Sequence, residues 1–413
     1  MENKPLQVLI IGLVWPEPNS TGASVRMMEH IHLFLKQGWS VSFTCPAAKS
    51  EHTADFDKLD VNTFSFEVND SSFDIFIADM QPDIVLFDRF LMEEQFGWRV
   101  EKCCPQALRV IETIDLHCLR EARHQVLKND AKKGTYLQYL HNETALREIA
   151  AIYRSDLSII ISDYEMNLLQ NHFHIHPSIL ALCPFMLTSE QLEKNTPRFE
   201  QRQHFMTIGN FRHAPNWDAV LWLKQVIWPL IRKQLPHAEL HIYGAYTPPK
   251  ATALHSPKTG FLIQDRADKV QDVMQQARVC LAPLRFGAGI KTKLADAMLY
   301  GTPSITTDIG AEGMTGGLTW PGNIQNDAQM FANAAVALHE DKNSWEVAQN
   351  NGYAIVEQHF SFEKNSTMLL QRILETRQNL NQHRQKNFIG AMLRHHHHRS
   401  TEFMSRWIEA KNR

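Results

Sequence analysis

Short apolar runs rich in β-branched residues alternate with helix-period patterns along this chain, and that alternation restricts the fold more than any other feature. Val8–Val14 reads as a buried strand, and Ser24–Gln37 follows with Met27, Met28, Ile31, Phe34 and Leu35 at helical spacing. Gly38 stands where a helix C-cap belongs, just before a strand at Ser40–Thr44. Further strands are expected at Ile84–Phe87, Arg109–Ile114 and Leu157–Ser162, with a helix at Glu143–Tyr153. The pattern breaks at Pro184, Pro197 and the polar stretch Ser189–Gln203, which reads as a linker. It then restarts with strands at Phe205–Ile208, Leu240–Tyr243, Val279–Pro283 and Pro303–Thr306, and helices at Trp217–Gln234, Ala267–Ala277 and Lys293–Tyr300. Alternation of this kind builds parallel βαβ units. The expectation is an α/β protein of two Rossmann-like domains, residues 1–188 and 189–375, with a basic helical tail over 376–413.

Charge divides the chain. Residues 1–187 hold 16 Lys+Arg and 25 Asp+Glu, whereas residues 377–413 hold 8 and 2. Attraction between an acidic first half and a basic tail is the favoured reading. A contact between the tail and an anionic lipid or phosphorylated acceptor is the sharper alternative. The tail carries Phe403, Met404, Trp407 and Ile408 at helical spacing, so it reads as a basic amphipathic helix crossing back over the domains. His395–His398 within it does not place a chelating pair at the usual i, i+4 spacing without a further ligand. The overall formal charge of −3 disfavours a nucleic-acid partner. Six cysteines with no CxxC pair suit a reducing cytoplasm. The apolar run at Val8 is far shorter than the ~20 residues of a membrane span, and no leader is expected.

The strongest local signal for chemistry is Pro283-Leu-Arg-Phe-Gly-Ala-Gly-Ile-Lys-Thr-Lys-Leu-Ala-Asp-Ala-Met-Leu-Tyr-Gly-Thr-Pro303. It reads as a strand end, a loop with Gly287 and Gly289, and a helix closed by Gly301. Glycines let the backbone approach a ligand, and the free N–H groups of a helix start attract anions. Lys291 adds a positive charge there, so the segment has the form of a phosphate cradle, although it lacks the Gly-Lys-Ser/Thr ending of a Walker loop. No GxGxxG follows the first strand and no Gly-x-Ser-x-Gly elbow occurs, which disfavours nicotinamide and serine-hydrolase chemistry.

This segment, ending in Asp296-Ala-Met-Leu-Tyr-Gly-Thr-Pro303, resembles the signature of group 1 (family 4) glycosyltransferases. Gly209-Asn-Phe-Arg-His-Ala-Pro-Asn-Trp-Asp218, Ala311-Glu-Gly313, Trp15–Arg26 and Ser155-Asp156 through Glu165 are similar to other parts of that family, in the same order. The resemblance covers residues 6 to about 375. It implies the GT-B fold, two Rossmann-like domains facing a cleft, with a nucleotide-diphosphate sugar held mainly by the second.

The resemblance also implies roles. Asp296 takes the place of the acidic residue that holds the ribose hydroxyls, and a carboxylate suits a vicinal diol. Ala288 stands where the family has a Glu that contacts the donor sugar. Gly22, Gly209, Gly287, Ala288, Gly289, Ile290 and Thr292 complete the expected donor site. Arg212 and Lys291 are the candidates for neutralising the diphosphate leaving group, and Asn216 stands near the place of the family's usual Lys. In the first domain, His117 is the candidate contact to the transferred sugar, with Asp115 orienting it and Arg120 and Arg26 facing the acceptor. The expected reaction moves a sugar to a saccharide, lipid-linked or protein acceptor, retaining and metal-independent, with no cofactor beyond the co-substrate. Such a reaction belongs to polysaccharide biosynthesis in the cytoplasm, with the tail as candidate for a peripheral contact at the inner membrane face. An inactive GT-B binding protein and a nucleotide-sugar epimerase or hydrolase are the alternatives.

Overall fold

The structure, a computed structural model, describes residues 4–129, 135–188, 190–192 and 196–412. Ser189 and residues 193–195 of the expected linker lie outside the described residues. Two parallel sheets organise the chain. The first contains β1 (Gln7–Ile11), β2 (Ser40–Thr44), β3 (Asn62–Phe64), β4 (Ile84–Asp88), β5 (Leu108–Glu112), β6 (Leu157–Ile160) and β7 (Leu180–Leu182). Their spatial order is β3-β2-β1-β4-β5-β6-β7, with Val8 opposite Val41 on one side and Ile84 on the other. The second sheet runs β10 (Phe261–Ile263), β9 (Leu240–Tyr243), β8 (Phe205–Ile208), β11 (Val279–Ala282), β12 (Ser304–Thr306) and β13 (Gly322–Ile324). The central strands are buried on both faces, which explains why they read as continuous apolar runs rather than alternating ones.

Several boundaries differ from the sequence expectation, three of them for a local reason. The strand expected at Leu157–Ser162 stops at Ile160, because the Ser162 hydroxyl accepts the Glu165 N–H and caps the helix Asp163–Asn171. The strand expected at Arg109–Ile114 stops at Glu112, because Ile114 takes φ 62°. The strand at Pro303 begins one residue later, at Ser304. The helix expected at Trp217–Gln234 starts at Ala214 and passes through a π turn, Leu223–Ile227, into Trp228–Gln234. Pro229 donates no N–H, and a widened turn just before it is where a helix can absorb that loss. The helix expected at Ala267–Ala277 covers only Val270–Gln276.

The chain returns to the first domain at the helix Phe362–Gln378. Phe362, Leu369, Ile373 and Leu380 share one apolar cluster with Val8, Ile10, Phe34, Ile84 and Val110. A last helix, Phe388–Asn412, crosses the back of this domain. Acid–base attraction between the two ends of the chain holds it there. Arg384 donates to Asp156 at 2.8 Å, Arg394 pairs with Glu101 at 3.1 Å, and Lys102 donates to Glu402 at 2.8 Å. His398, the last of the four consecutive histidines, lies between Glu93 and Glu101. Burial opposes the charge of Glu101, but His398, Arg109 and Arg394 outweigh it and hold the carboxyl down at about 2. Most of the histidine tract thus stays on the helix surface while one member ties it to the body.

Candidate functional site

In an open parallel sheet a ligand binds beyond the carboxyl ends of the strands, where the strand order reverses. In the first sheet that point lies between β1 and β4; in the second it lies between β8 and β11. The loops leaving those strands meet each other. Gly22, at the start of the helix Gly22–Lys36 after β1, sits so close to Thr292 that a Cβ added to it would lie 2.1 Å from the Thr292 Oγ1. Gly289, in the loop after β11, has φ 64°, and a Cβ there would lie 2.8 Å from the Asp115 Cβ. The expected donor residues Gly22, Thr292 and Gly289 and the expected catalytic Asp115 are therefore brought to one seam. Only glycine allows both the left-handed backbone at 289 and this approach.

His117, Asp115 and Arg120 form a compact group on the first-domain side. Arg120 donates to Asp115, and the His117 imidazole lies 3.5 Å from the same carboxylate. Burial disfavours the Asp115 charge, yet Arg120 and His117 hold its pKa well below the usual carboxylate range. Burial also lowers His117, to about 4, against the opposing pull of Asp115. Ile114, just before this group, is a β-branched residue at positive φ, a conformation worth roughly 1–3 kcal/mol of strain. Its turn is closed by the Asp115 N–H donating to Thr113 at 2.7 Å, and it aims Asp115 at Gly289.

On the second-domain side, the helix Thr292–Leu299 points its N-terminus at the seam. Lys291 is buried, and its Nζ donates to the carbonyls of Gly289 and, at 3.3 Å, Ala288. Burial lowers its pKa to about 8, with Glu312 opposing. Asp296 keeps some solvent access in the cleft, but the walls around it raise its pKa to about 7, and Glu29 across the cleft adds to that. Gly209 packs against Asn216, whose side chain bonds the Asn210 carbonyl at 3.1 Å. Arg212 lies at the cleft edge with its guanidinium 3.7 Å from the Tyr246 ring centroid. Beside it a cavity of about 320 Å³ is lined by His52, Gly244, Tyr246, Asp265 and Arg266, and the Tyr246 hydroxyl donates to Glu17 of the first domain at 2.7 Å. A roomier cavity of about 730 Å³ lies at the opposite end of the second sheet, near His204, His237 and His241. It faces the amino ends of the strands, away from the seam.

Two expected residues are placed otherwise than the sequence reading had them. Arg26 is 1% exposed: it donates to Glu112, Glu29 and the carbonyls of Cys183 and Pro184, and so ties the first helix to the strand ends instead of facing an acceptor. Ala288 is buried in an apolar cluster with Leu116, Cys118 and Leu119 of the first domain, next to Ile290 in a neighbouring cluster. A carboxylate at 288 would be desolvated there.

Three residues were missed. Lys293 donates to the Asn216 Oδ1 at 2.8 Å, so a cation reaches the strand-turn-helix from the other loop where the sequence offered only Asn216. Glu165 accepts the N–H of Leu116 at 2.9 Å and, across the seam, that of Gly289 at 2.8 Å. Burial raises it to about 8, and the nearby Asp115 charge adds to this. Arg123 forms a two-pronged pair with Glu312, at 2.9 and 2.6 Å, and donates to the Gly287 carbonyl at 2.8 Å. Asp115, His117, Glu165, Lys291 and Asp296 thus all carry shifted ionisation along one seam, a pattern common at reactive sites.

Two Rossmann-like domains meeting at the carboxyl ends of their sheets, with the last helices returning to the first domain, define the GT-B class. Residues 202–341 match the family described as glycosyl transferases group 1. Sucrose-phosphate synthase from Thermosynechococcus elongatus superimposes with a TM-score of 0.65 at 15% identity, covering 89% of this chain and 98% of that one. Anabaena HepE in complex with UDP-glucose gives 0.63 at 13% identity, covering 90% and 99%. Over 164 residues the chain is 23% identical to an uncharacterized 44.6 kDa protein in the cps region of Klebsiella pneumoniae, spanning 38% of this chain and 42% of that relative. The fold of the whole chain is therefore that of the GT-B class, and residues 202–341 are similar to the group 1 glycosyltransferases, in keeping with the sequence resemblance.

Proposed function

We propose that this protein transfers a sugar from a nucleotide-diphosphate sugar, a UDP-sugar being the first to test, to a saccharide, lipid-linked or protein acceptor. One observation carries the reading: the glycine loop and helix start of residues 287–292 face the His117–Asp115–Arg120 group across a seam that only glycine permits. In this reading the diphosphate lies against the Thr292 helix N-terminus, with Lys293, Lys291 and Arg212 as the cations around it. Asp296 accepts the ribose hydroxyls, and the cavity beside Tyr246 is the candidate seat for the base. The bond from the sugar C1 to the phosphate oxygen breaks with its electron pair on the diphosphate. The acceptor oxygen then bonds C1 on the same face, and its proton passes to the departing phosphate. His117, nearly neutral at pH 7, contacts the transferred sugar, and Arg120 stands toward the acceptor. Retention and independence from metal ions belong to the same proposal, as do a place in polysaccharide biosynthesis and a cytoplasmic location with a peripheral contact at the membrane.

Acceptor-dependent release of nucleotide from UDP-, GDP- and ADP-sugars tests the proposal, with Asp296→Ala and Lys293→Met as site controls. Release that needs acceptor and falls in both variants supports it; nucleotide binding with no release under any acceptor supports an inactive binder. Ala288, which brings no carboxylate to the seam, is the observation that favours that second reading.

A further inference from the structure

The last helix, Phe388–Asn412, is tied to the first domain along one face and bare along the other. Gly390, Arg394, His398 and Ser405 are buried against the body. The outward face presents Phe388, Phe403 and Trp407 at 76%, 69% and 60% exposure, together with Ile389, Met392 and Met404. Single exposed apolar residues are ordinary, but six large ones on one helix face mark a binding surface. Arg399 and Arg406 are interspersed on this face, with Lys411 at its edge. Both carboxylates of the helix are turned aside to the body. Glu402 bridges Lys102 of the body and Arg406 of its own helix, at 2.8 and 2.6 Å, and Glu409 accepts from the Ser71 hydroxyl at 2.6 Å. Among the described residues of this helix, the outward face therefore carries aromatics and cations, with Glu402 at its margin held between Lys102 and Arg406.

We infer that this face is a membrane-surface anchor that lies in the headgroup layer of anionic lipid. A helix with Trp and Phe on its exposed face and arginines among them suits the interface, where rings enter the acyl boundary and cations meet phosphate. At 25 residues the helix is about 37 Å long, enough to rest both of its apolar ends on one surface. No helix among the described residues is long and apolar enough to cross a membrane. A second copy of the chain is a poorer occupant. Two-fold pairing of this face would set the cations of one copy among those of the other, with Glu402 already engaged by Lys102 and Arg406 of its own copy. The inference extends the peripheral contact proposed above by naming its surface and its ligand.

Vesicle flotation of the full chain tests it, using phosphatidylcholine alone and phosphatidylcholine with phosphatidylglycerol. The wild type is expected to float with the anionic vesicles and to be released by salt. Phe403→Ser/Trp407→Ser is expected to abolish flotation. Arg399→Gln/Arg406→Gln is expected to weaken binding to anionic vesicles by about 5-fold per charge removed. All four positions are exposed, and an unchanged melting temperature confirms that each variant folds. A wild type that stays at the bottom of the gradient overturns the inference, as does a Phe403→Ser/Trp407→Ser variant that floats like the wild type. A dimer in sedimentation that this variant dissociates, with no flotation, would make the face a self-interface and also overturn it. Flotation needs no sugar transfer, so its failure leaves the donor-site reading untouched.

Discussion

Replacing Gly289 by alanine separates two things that the seam demands of this position. The first is a left-handed backbone, φ 64°, which costs a residue with a Cβ about 1–2 kcal/mol. The second is space, because the new methyl would lie 2.8 Å from the Asp115 Cβ and 3.2 Å from the Ile114 carbonyl. Carbon atoms rest about 3.5–4.0 Å apart, so the loop and the Asp115 turn must separate by about 1 Å. Neither atom sits on the end of a flexible side chain, so the strain passes to the two domains. Gly38 provides the control: its φ is 70°, and a Cβ there meets nothing within 4 Å. Gly38→Ala is expected to lose about 1–2 kcal/mol of stability and no activity. Gly289→Ala is expected to show a similar backbone loss together with a fall of about 100-fold in acceptor-dependent turnover, the effect of a 1 Å misplacement at a reacting centre. Urea unfolding and nucleotide release on both variants give the two numbers. A Gly289→Ala protein that turns over at the wild-type rate while losing the same stability as Gly38→Ala would show that the working state does not close to this distance.

Three further outcomes follow from the same geometry. In the proposed ribose contact Asp296, raised to about 7, must be ionised to accept two hydroxyls, so nucleotide affinity measured by calorimetry is expected to rise from pH 6 to pH 8 relative to that of Asp296→Asn, which shares the titration of Lys291 and Lys293. Glu165, raised to about 8, holds its proton more tightly in the folded chain than in the unfolded one. Its contribution is therefore intact below about pH 4.3 and is lost as pH rises through 8, and Glu165→Gln is expected to flatten the stability profile over that window relative to the wild type. Arg123→Ala leaves Glu312 and the Gly287 carbonyl without their partner inside the seam and is expected to cost about 3 kcal/mol in urea unfolding, well above an exposed pair such as Arg147–Glu94.

The two-sheet architecture was legible because burial on both faces leaves unbroken apolar runs, and the loop and helix of residues 283–303 because glycines punctuate them. Strands of three residues, such as β3 and β13, are too short to show a period of two. What escaped entirely were partnerships between distant positions. Arg123 and Glu312 are 189 residues apart, and nothing local in either sequence names the other. Glu165 closes the Ser155–Glu165 segment of the resemblance, but nothing local gave it a role at the site. Ser162-x-x-Glu165 reads as a capping box, yet the carboxylate leaves its own helix and crosses to Gly289. Arg26 failed for the opposite reason: an arginine in a loop-to-helix junction looks like a binding group until the fold shows four acceptors around it. The last helix was legible because its apolar and basic residues recur at helical spacing.

The first domain takes its core from both ends of the chain, Val8 and Ile10 at one end and Leu369, Ile373 and Leu380 at the other. On the ribosome, that has a temporal consequence. At about 5–20 residues per second, the strands β1–β7 emerge first and then wait while the whole second domain is made before their covering helices arrive. The second sheet, whose strands all lie within residues 205–324, can close in the meantime. The domain translated first is thus the one completed last, and its acidic surface stays open to solvent and chaperones until Arg384 and Arg394 reach it.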